Sequence, residues 1–401
     1  MNLAYIFFLF ATVSAIPTGR EDVVFPSVET SRSGVKTIKF RALGEDIELK
    51  LEPAGGILSK DFALYNGNKE KDHSVDVESL RRRIYRDSAN GAALIIDDDH
   101  EKFPSIRGVV NSKLRIEPHE LGGTTQYGRN AHRIIELTSE GNSYFSDNVI
   151  PPKSEIEARN FTGMARPDKC IVVEFLCLTE SKFTERFKTN KELTDYVTTM
   201  YTGVQNMYDT MNLGIVIRLS GIQAFTKKDE PSYIKDSEVL KGKYLDDKIL
   251  ANMRSYYCKN SVGLAKDADI IMLFVRRLLV GLTGSKITSK VLGIAYSAGL
   301  CHKCDKVGVT LDETDYNERI ITLAHESAHL LGVPHDGMGT EEVDLKDGPG
   351  AKSCPYDDGY IMGTAEAANM LKFSKCSAAC AKYFLSLPQA SCAIEDCKSS
   401  R

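Results

Sequence analysis

The stretch Ile320–Asp336, IITLAHESAHLLGVPHD, constrains this chain more than any other part of it. Residues four apart on an α-helix lie on one face, one turn from each other, so His325 and His329 point the same way. Two imidazoles on one face make half of a tetrahedral metal site, and Glu326, next to the first, can reach the same point. Gly332 can adopt the positive φ that stops a helix and turns the chain back. That reversal brings His335 in as a third ligand. Three protein ligands leave one position open, the mark of a reactive metal site rather than a structural one. Chance would produce five such fixed positions in a chain of this length on the order of once in ten thousand. A helix of merely solvated or packed histidines is the competing reading, and the spacing argues against it.

At these residues the sequence resembles the metzincin clan of zinc peptidases, whose elongated motif is followed by a methionine turn. Met362 lies 27 residues after His335, within Asp358-Gly359-Tyr360-Ile361-Met362-Gly363. The resemblance implies a buried apolar side chain beneath the metal, with no coordination by sulfur. Asp336 directly follows the third histidine, as in the reprolysins (adamalysin or ADAM type), and Thr364 stands where astacins and serralysins carry Tyr. Gly293 to Tyr296, continuing to Cys301, looks like the reprolysin edge strand that cradles extended substrates. Ala328 replaces the small Gly usual before the second histidine, a change that favours the helix. Within the family the chain is most similar to the short secreted metalloproteases of tick saliva.

The chain has 401 residues, enough for two or three domains. All ten cysteines fall from Cys170 onward, so a cysteine-free region precedes a cysteine-rich one, with up to five disulfides in an exported protein. Met1–Ala15 is a short apolar run ending Val-Ser-Ala, which fits a secretory signal and is too short to span a bilayer. The net charge of −4 and the lack of a basic stripe point away from nucleic acid. The expected division is a signal peptide at 1–15, a propeptide at 16–165 and a catalytic domain at 166–401. The boundary is placed within Pro151–Pro167, where Arg159 offers a cleavage point and Asn160-Phe161-Thr162 a glycosylation sequon.

Alternating apolar residues predict strands over Val35–Leu51 (broken at Gly44), Ala92–Ile96, Lys113–Ile116 and Arg133–Leu137. This β-rich segment resembles the reprolysin propeptide, which implies an intramolecular inhibitor. It carries no cysteine to place on a metal, so steric cover of the cleft is the expected mode of latency, with His73, His100 and His119 as weaker ligand candidates. Arg81-Arg82-Arg83 is expected to be a solvated charged face. Further on, Ile171–Leu178, Leu213–Phe225, Asp269–Val275 and Val291–Tyr296 read as strands, and Asn190–Met211 as a helix. The active-site helix is expected over Thr314–Leu331 with Thr314 as its cap, and Ala365–Leu387 as a helix bearing Cys376 and Cys380. The alternation of strands and helices points to an α/β fold class, and the resemblance implies a zincin-like domain with a mainly parallel twisted sheet, an active-site helix, a methionine turn and a disulfide-rich end, preceded by the β-rich region.

The implied protein is a secreted, monomeric zinc endopeptidase without a membrane anchor, acting on extracellular proteins such as fibrin, fibrinogen or matrix components. His325, His329 and His335 would hold one Zn²⁺. Glu326 would take a proton from the attacking water and pass it to the leaving amine. Gly332, Asp336 and Met362 would support the site. Glu174 stands where some reprolysins carry a Ca²⁺ ligand. Three alternatives remain at this point: a catalytically weak binding protein or antagonist, a zinc hydrolase of another substrate class such as an esterase, and a structural zinc at Cys301-His302-Lys303-Cys304.

Overall fold

The computed structural model describes residues 19–98, 104–120, 129–137, 147–150, 169–283 and 286–397. The expected signal sequence, the processing stretch with Arg159 and Asn160, and His100 lie outside the described residues.

The N-terminal region is an antiparallel sheet running, in spatial order, Glu21–Val24, His132–Glu136, Leu114–Pro118, Ser105–Val109, Ala92–Asp97, Ile84–Asp87, Glu45–Pro53, Lys36–Ala42 and Ser27–Thr30. Its alternating strands bury one face, as Ile38, Leu49, Leu94 and Ile134 do in a core of their own. The break expected at Gly44 is a tight hairpin turn, with Leu43 at φ 51° and Gly44 at φ 91° and Ala42 opposite Glu45.

The C-terminal region is built on a second sheet, ordered Asp147–Ile150, Gly293–Tyr296, Val307–Leu311, Ile270–Val275, Lys169–Thr179, Ile215–Ala224 and Leu64–Asn66, with Ile394–Asp396 pairing beside the start of Lys169–Thr179. The pairings along this order are parallel except that Gly293–Tyr296 runs antiparallel to Val307–Leu311. The central strands are continuous apolar runs because helices or chain cover both faces. Both edges of this sheet are closed by segments from before residue 151: Leu64–Asn66 on one side and Asp147–Ile150 on the other. Such closure removes the unpaired backbone groups of an open edge.

The helix Asn190–Asp209 begins at Thr189, whose hydroxyl accepts from the Glu192 N–H. Every residue from Leu193 to Tyr208 is buried, although half its surface is polar. The N-terminal region partners part of that polar half, while Thr194, Thr199 and Thr202 turn their hydroxyls back to carbonyls of their own helix. Asp195 takes two hydrogen bonds from the Arg83 guanidinium, at 3.1 and 3.2 Å, and the Asn206 amide donates to the Ala92 carbonyl at 2.8 Å.

The arginine run is a solvated face only at Arg82: Arg83 is buried against Asp195, and Arg81 donates to the carbonyls of Leu58 and Ser59. The site helix spans Ile320–Leu330 with Arg319 in the cap position, not Thr314. Asn317, at φ 53°, breaks the preceding turn because its N–H and amide are held by Tyr196. The last helix spans Lys375–Leu385, capped by Ser374, and does not begin at Ala365 because Ala365 and Ala367 take positive φ. Four disulfides form, Cys170–Cys397, Cys258–Cys304, Cys301–Cys392 and Cys354–Cys376, leaving Cys177 and Cys380 as buried thiols. Cys301 and Cys304 are thus consumed, which removes the structural-zinc alternative. Glu174 faces Arg218, whose guanidinium lies 3.4 Å from both Glu174 and Glu395, an arrangement that gives Ca²⁺ no support.

Candidate metal centre

The site helix packs against the long helix at two points. Gly203 permits close approach, since a Cβ there would lie 2.9 Å from Ile320 Cδ1, and the Tyr208 hydroxyl meets Ser327 Oγ at 2.9 Å. The site helix ends as its sequence foretells. Gly332, at φ 72°, donates to the His329 carbonyl and Val333 to that of Ala328, a Schellman ending. The chain then turns back, and His335 arrives beside the two helical histidines.

His325, His329 and His335 converge, each offering a nitrogen within 4.8 Å of the others. The Nε2 atoms of His325 and His329 are 3.1 Å apart, and those of His325 and His335 3.2 Å. Each ring is oriented from its far side. His325 Nδ1 lies 2.8 Å from the Ile361 carbonyl and His329 Nδ1 2.8 Å from that of Val333. His335 Nδ1 is 2.8 Å from Glu342 Oε1. Carbonyl and carboxylate oxygens can only accept, so each Nδ1 carries the proton and each neutral ring turns its Nε2 lone pair inward. Three lone pairs facing each other at this distance repel unless a cation sits among them. Tetrahedral Zn²⁺ with bonds of about 2.0–2.1 Å sets its ligand atoms about 3.3 Å apart, so this donor set fits that ion.

Glu326 is fully buried on the same helix. The space for its carboxylate comes from Gly293 on the neighbouring strand, where a Cβ would lie 2.2 Å from Glu326 Oε1. Asp336, buried, accepts from Ser374 Oγ at 2.6 Å, while its N–H donates to the Met362 carbonyl at 2.9 Å. Burial pushes its carboxyl up to about 6, with the Ser374 hydroxyl pulling the other way. Met362 is wholly buried in a tight turn in which Gly363 donates to the Tyr360 carbonyl. This turn supplies both the Ile361 carbonyl for His325 and the Met362 carbonyl for Asp336.

The structure therefore brings together His325, Glu326, His329, His335, Gly332, Asp336 and Met362. It also reveals two residues that the sequence did not single out for these contacts. Gly293 was legible as part of the expected strand Val291–Tyr296 and, by resemblance, of a substrate-cradling edge, but not as the neighbour of Glu326. Glu342 lies in a loop with no periodic signal; its carboxylate meets both the N–H and the ring of His335. Burial raises the Glu342 carboxyl, but the hydrogen bonds it accepts from the His335 ring and backbone pull it back down and leave the pKa lowered.

Among known proteins, residues 171–374 match a reprolysin-type family model described as Metallo-peptidase family M12. The chain is similar to venom metalloproteinase antarease TserMP_A of Tityus serrulatus, 52% identical over 396 residues and covering 97% of each chain. It is also similar to venom metalloproteinase antarease-like TtrivMP_A of Tityus trivittatus, 50% identical over 397 residues and again 97% of each. Venom metalloproteinase BumaMPs1 of Olivierus martensii is 40% identical over 370 residues, 92% of this chain and 91% of that one.

Proposed function

This chain belongs to the reprolysin-type M12 metallopeptidases and is a zinc metalloendopeptidase, and we propose that His325, His329 and His335 hold its zinc while Glu326 is its catalytic base. The observation that carries this assignment is the set of three inward Nε2 lone pairs, each fixed by an acceptor at Nδ1. When bound, Zn²⁺ supplies Lewis acidity that polarises a carbonyl and makes water a stronger acid. The chain's own residues do the rest. Glu326 receives a proton from the attacking water and returns it to the departing amine, a role worth about 10²–10⁴ in rate. Gly332 brings His335 into place. Asp336, tied to Ser374 and to the methionine turn around Met362, fixes the chain beneath the site.

The strand Gly293–Tyr296 borders Glu326 and is the natural place for an extended peptide to add as a further strand. Its outer edge is taken by Asp147–Ile150, which supports reading residues 16–165 as a propeptide that covers the cleft and 166–401 as the catalytic domain. Export, through Met1–Ala15 as signal, is supported by relatives named as venom proteins. Among the described residues no helix is long and apolar enough to cross a membrane. The substrates on this reading are extracellular proteins, with fibrinogen and matrix components as first candidates.

The test is digestion of fibrinogen and gelatin by the processed chain, with and without a chelator, beside Glu326→Ala and His329→Ala. Cleavage should need the metal and both side chains, and Glu326→Ala should keep its zinc. Undiminished cleavage by Glu326→Ala would remove the base assignment, and full zinc content in His329→Ala would remove the ligand assignment.

A further inference from the structure

The loop after His335 does more than link two elements. Its base is closed by hydrogen bonds from Gly337 to the Ala351 carbonyl and from Ala351 to that of Met338, at 3.0 and 2.8 Å. Val343 and Leu345 anchor its tip side in the main core, with exposures of 1% and 5%. Between these fixed points a single 3₁₀ turn, Thr340–Glu342, ends on Glu342. That carboxylate lies against His335 twice: Oε1 accepts from Nδ1–H at 2.8 Å and Oε2 from the backbone N–H at 2.7 Å. The neighbouring Glu341 points away to an exposed pair with Lys352 at 2.9 Å.

From this arrangement we propose that Glu342 is a positioning residue for the third zinc ligand, acting through His335 without touching metal or substrate. The inference rests on His335 being a ligand, as proposed above. His325 and His329 ride on one helix and receive carbonyl acceptors from rigid backbone. His335 lies beyond the helix end, where the chain alone would leave its ring free to rotate. A two-pronged carboxylate grip fixes both the backbone and the ring of that residue, holds the proton on Nδ1 and keeps Nε2 toward the ion. An acceptor bearing full negative charge also makes the imidazole a stronger donor than a carbonyl does. Zinc should therefore depend on Glu342 nearly as it depends on a ligand.

The experiment measures zinc affinity of the full-length chain by competition with a chromogenic chelator, together with the rate of zinc loss. Glu342→Gln keeps the volume but cannot accept from both N–H groups. It should weaken zinc binding about 10–100-fold, while Glu341→Gln stays at the wild-type value. The effect must pass through His335, so Glu342→Gln should add nothing in a His335→Ala background. Wild-type affinity in folded Glu342→Gln, or an equal loss in the His335→Ala background, would overturn the proposal while leaving the ligand set intact. Affinity unchanged by His335→Ala itself would overturn the ligand reading and this inference together. Should Glu342→Gln not yield folded protein, Glu342→Ser is measured against the same criteria.

Discussion

Gly293 and Glu326 occupy one volume: the position of a Cβ on the glycine is 2.2 Å from one carboxylate oxygen and 2.5 Å from Cδ and Cγ of the same side chain. The two residues lie on different elements, the strand Gly293–Tyr296 and the site helix, and only the missing side chain lets them meet. Gly293→Ala leaves the strand backbone allowed, so the strain must fall on the carboxylate. A shift of about 1 Å in a catalytic group can cost about 10² in rate. The variant should lose kcat by about that factor with zinc content and melting temperature nearly unchanged. Steady-state cleavage of a fluorogenic peptide by the processed form measures it, and an unchanged kcat would refute the steric argument.

The pair Arg83–Asp195 is the most deeply buried charge contact between the N-terminal region and the long helix, with side-chain exposures of 4% and 1%. Removing one partner of such a pair strands the other charge in a dry site, at a cost of roughly 3–5 kcal/mol. Lys191, 3.2 Å from Asp195, offsets part of that. Arg83→Ala should therefore destabilise the full-length chain by about 3 kcal/mol, and Arg83→Met with Asp195→Leu should recover most of it. Urea unfolding followed by far-UV circular dichroism gives both values. A loss within about 0.5 kcal/mol would show the pair to be a surface-like contact.

The parts of the fold legible in the sequence were those with local causes. Periodicity revealed the strands around Ile38 and Ile171 and the helix containing Leu193, and the positive φ of Gly332 followed from its place after His329. That His325 and His329 share one face was legible for the same reason, because a spacing of four is itself a statement of helical geometry. What was not legible depended on partners distant in the chain. The run Arg81–Arg83 looks like any solvated basic patch until Asp195 and the Leu58 and Ser59 carbonyls are brought to it. The site helix begins late because Tyr196, 121 residues away, holds Asn317 outside helical geometry. Nothing in the loop after His335 marks Glu342 by pattern, since its role comes from where Val343 and Leu345 are anchored.

His132 gives the N-terminal sheet a dependence on pH. It is buried, its Nδ1–H donates to the Asn130 carbonyl, and its Nε2 accepts from the Ile106 N–H at 2.9 Å. Burial lowers its pKa, with the Asn130 carbonyl opposing. The unfolded chain takes its proton near pH 6.5, before the folded chain does, so ν_U exceeds ν_N below that pH and stability falls as pH falls. Asp269 acts with the opposite sign. Burial raises its carboxyl to about 7, so it favours the folded state as pH falls toward that value and beyond. The His132 contribution is thus isolated by difference. His132→Gln keeps an acceptor for Ile106 but cannot titrate, and its loss of stability between pH 7.5 and pH 5 should be smaller than that of the wild type. Equal losses would show that His132 is not the group responsible.

On the propeptide reading proposed above, latency should be relieved by removing a strand and not by modifying a thiol. Asp147–Ile150 lies parallel on Gly293–Tyr296, from Asp147 opposite Gly293 to Ile150 opposite Tyr296, and Ser297 N–H closes the pairing on the Ile150 carbonyl at 3.0 Å. A peptide that adds to the same edge must displace this segment, because each backbone group serves one partner. No cysteine precedes Cys170, so the N-terminal region has no thiolate to place among the three histidines. Mercurial reagents, which release enzymes held by such a thiolate, should leave the full-length chain unchanged. Cutting between residues 151 and 167 and then separating the fragments should raise the rate, by about 100-fold if the covered form holds 99% of the population. Cutting alone should raise it less, since Leu64–Asn66 and the Arg83–Asp195 pair keep the fragment attached. Arg83→Ala should narrow that gap between cut and separated forms. Activation by mercurial alone, or a cut chain as active before separation as after it, would show that the edge strand does not govern access to the cleft.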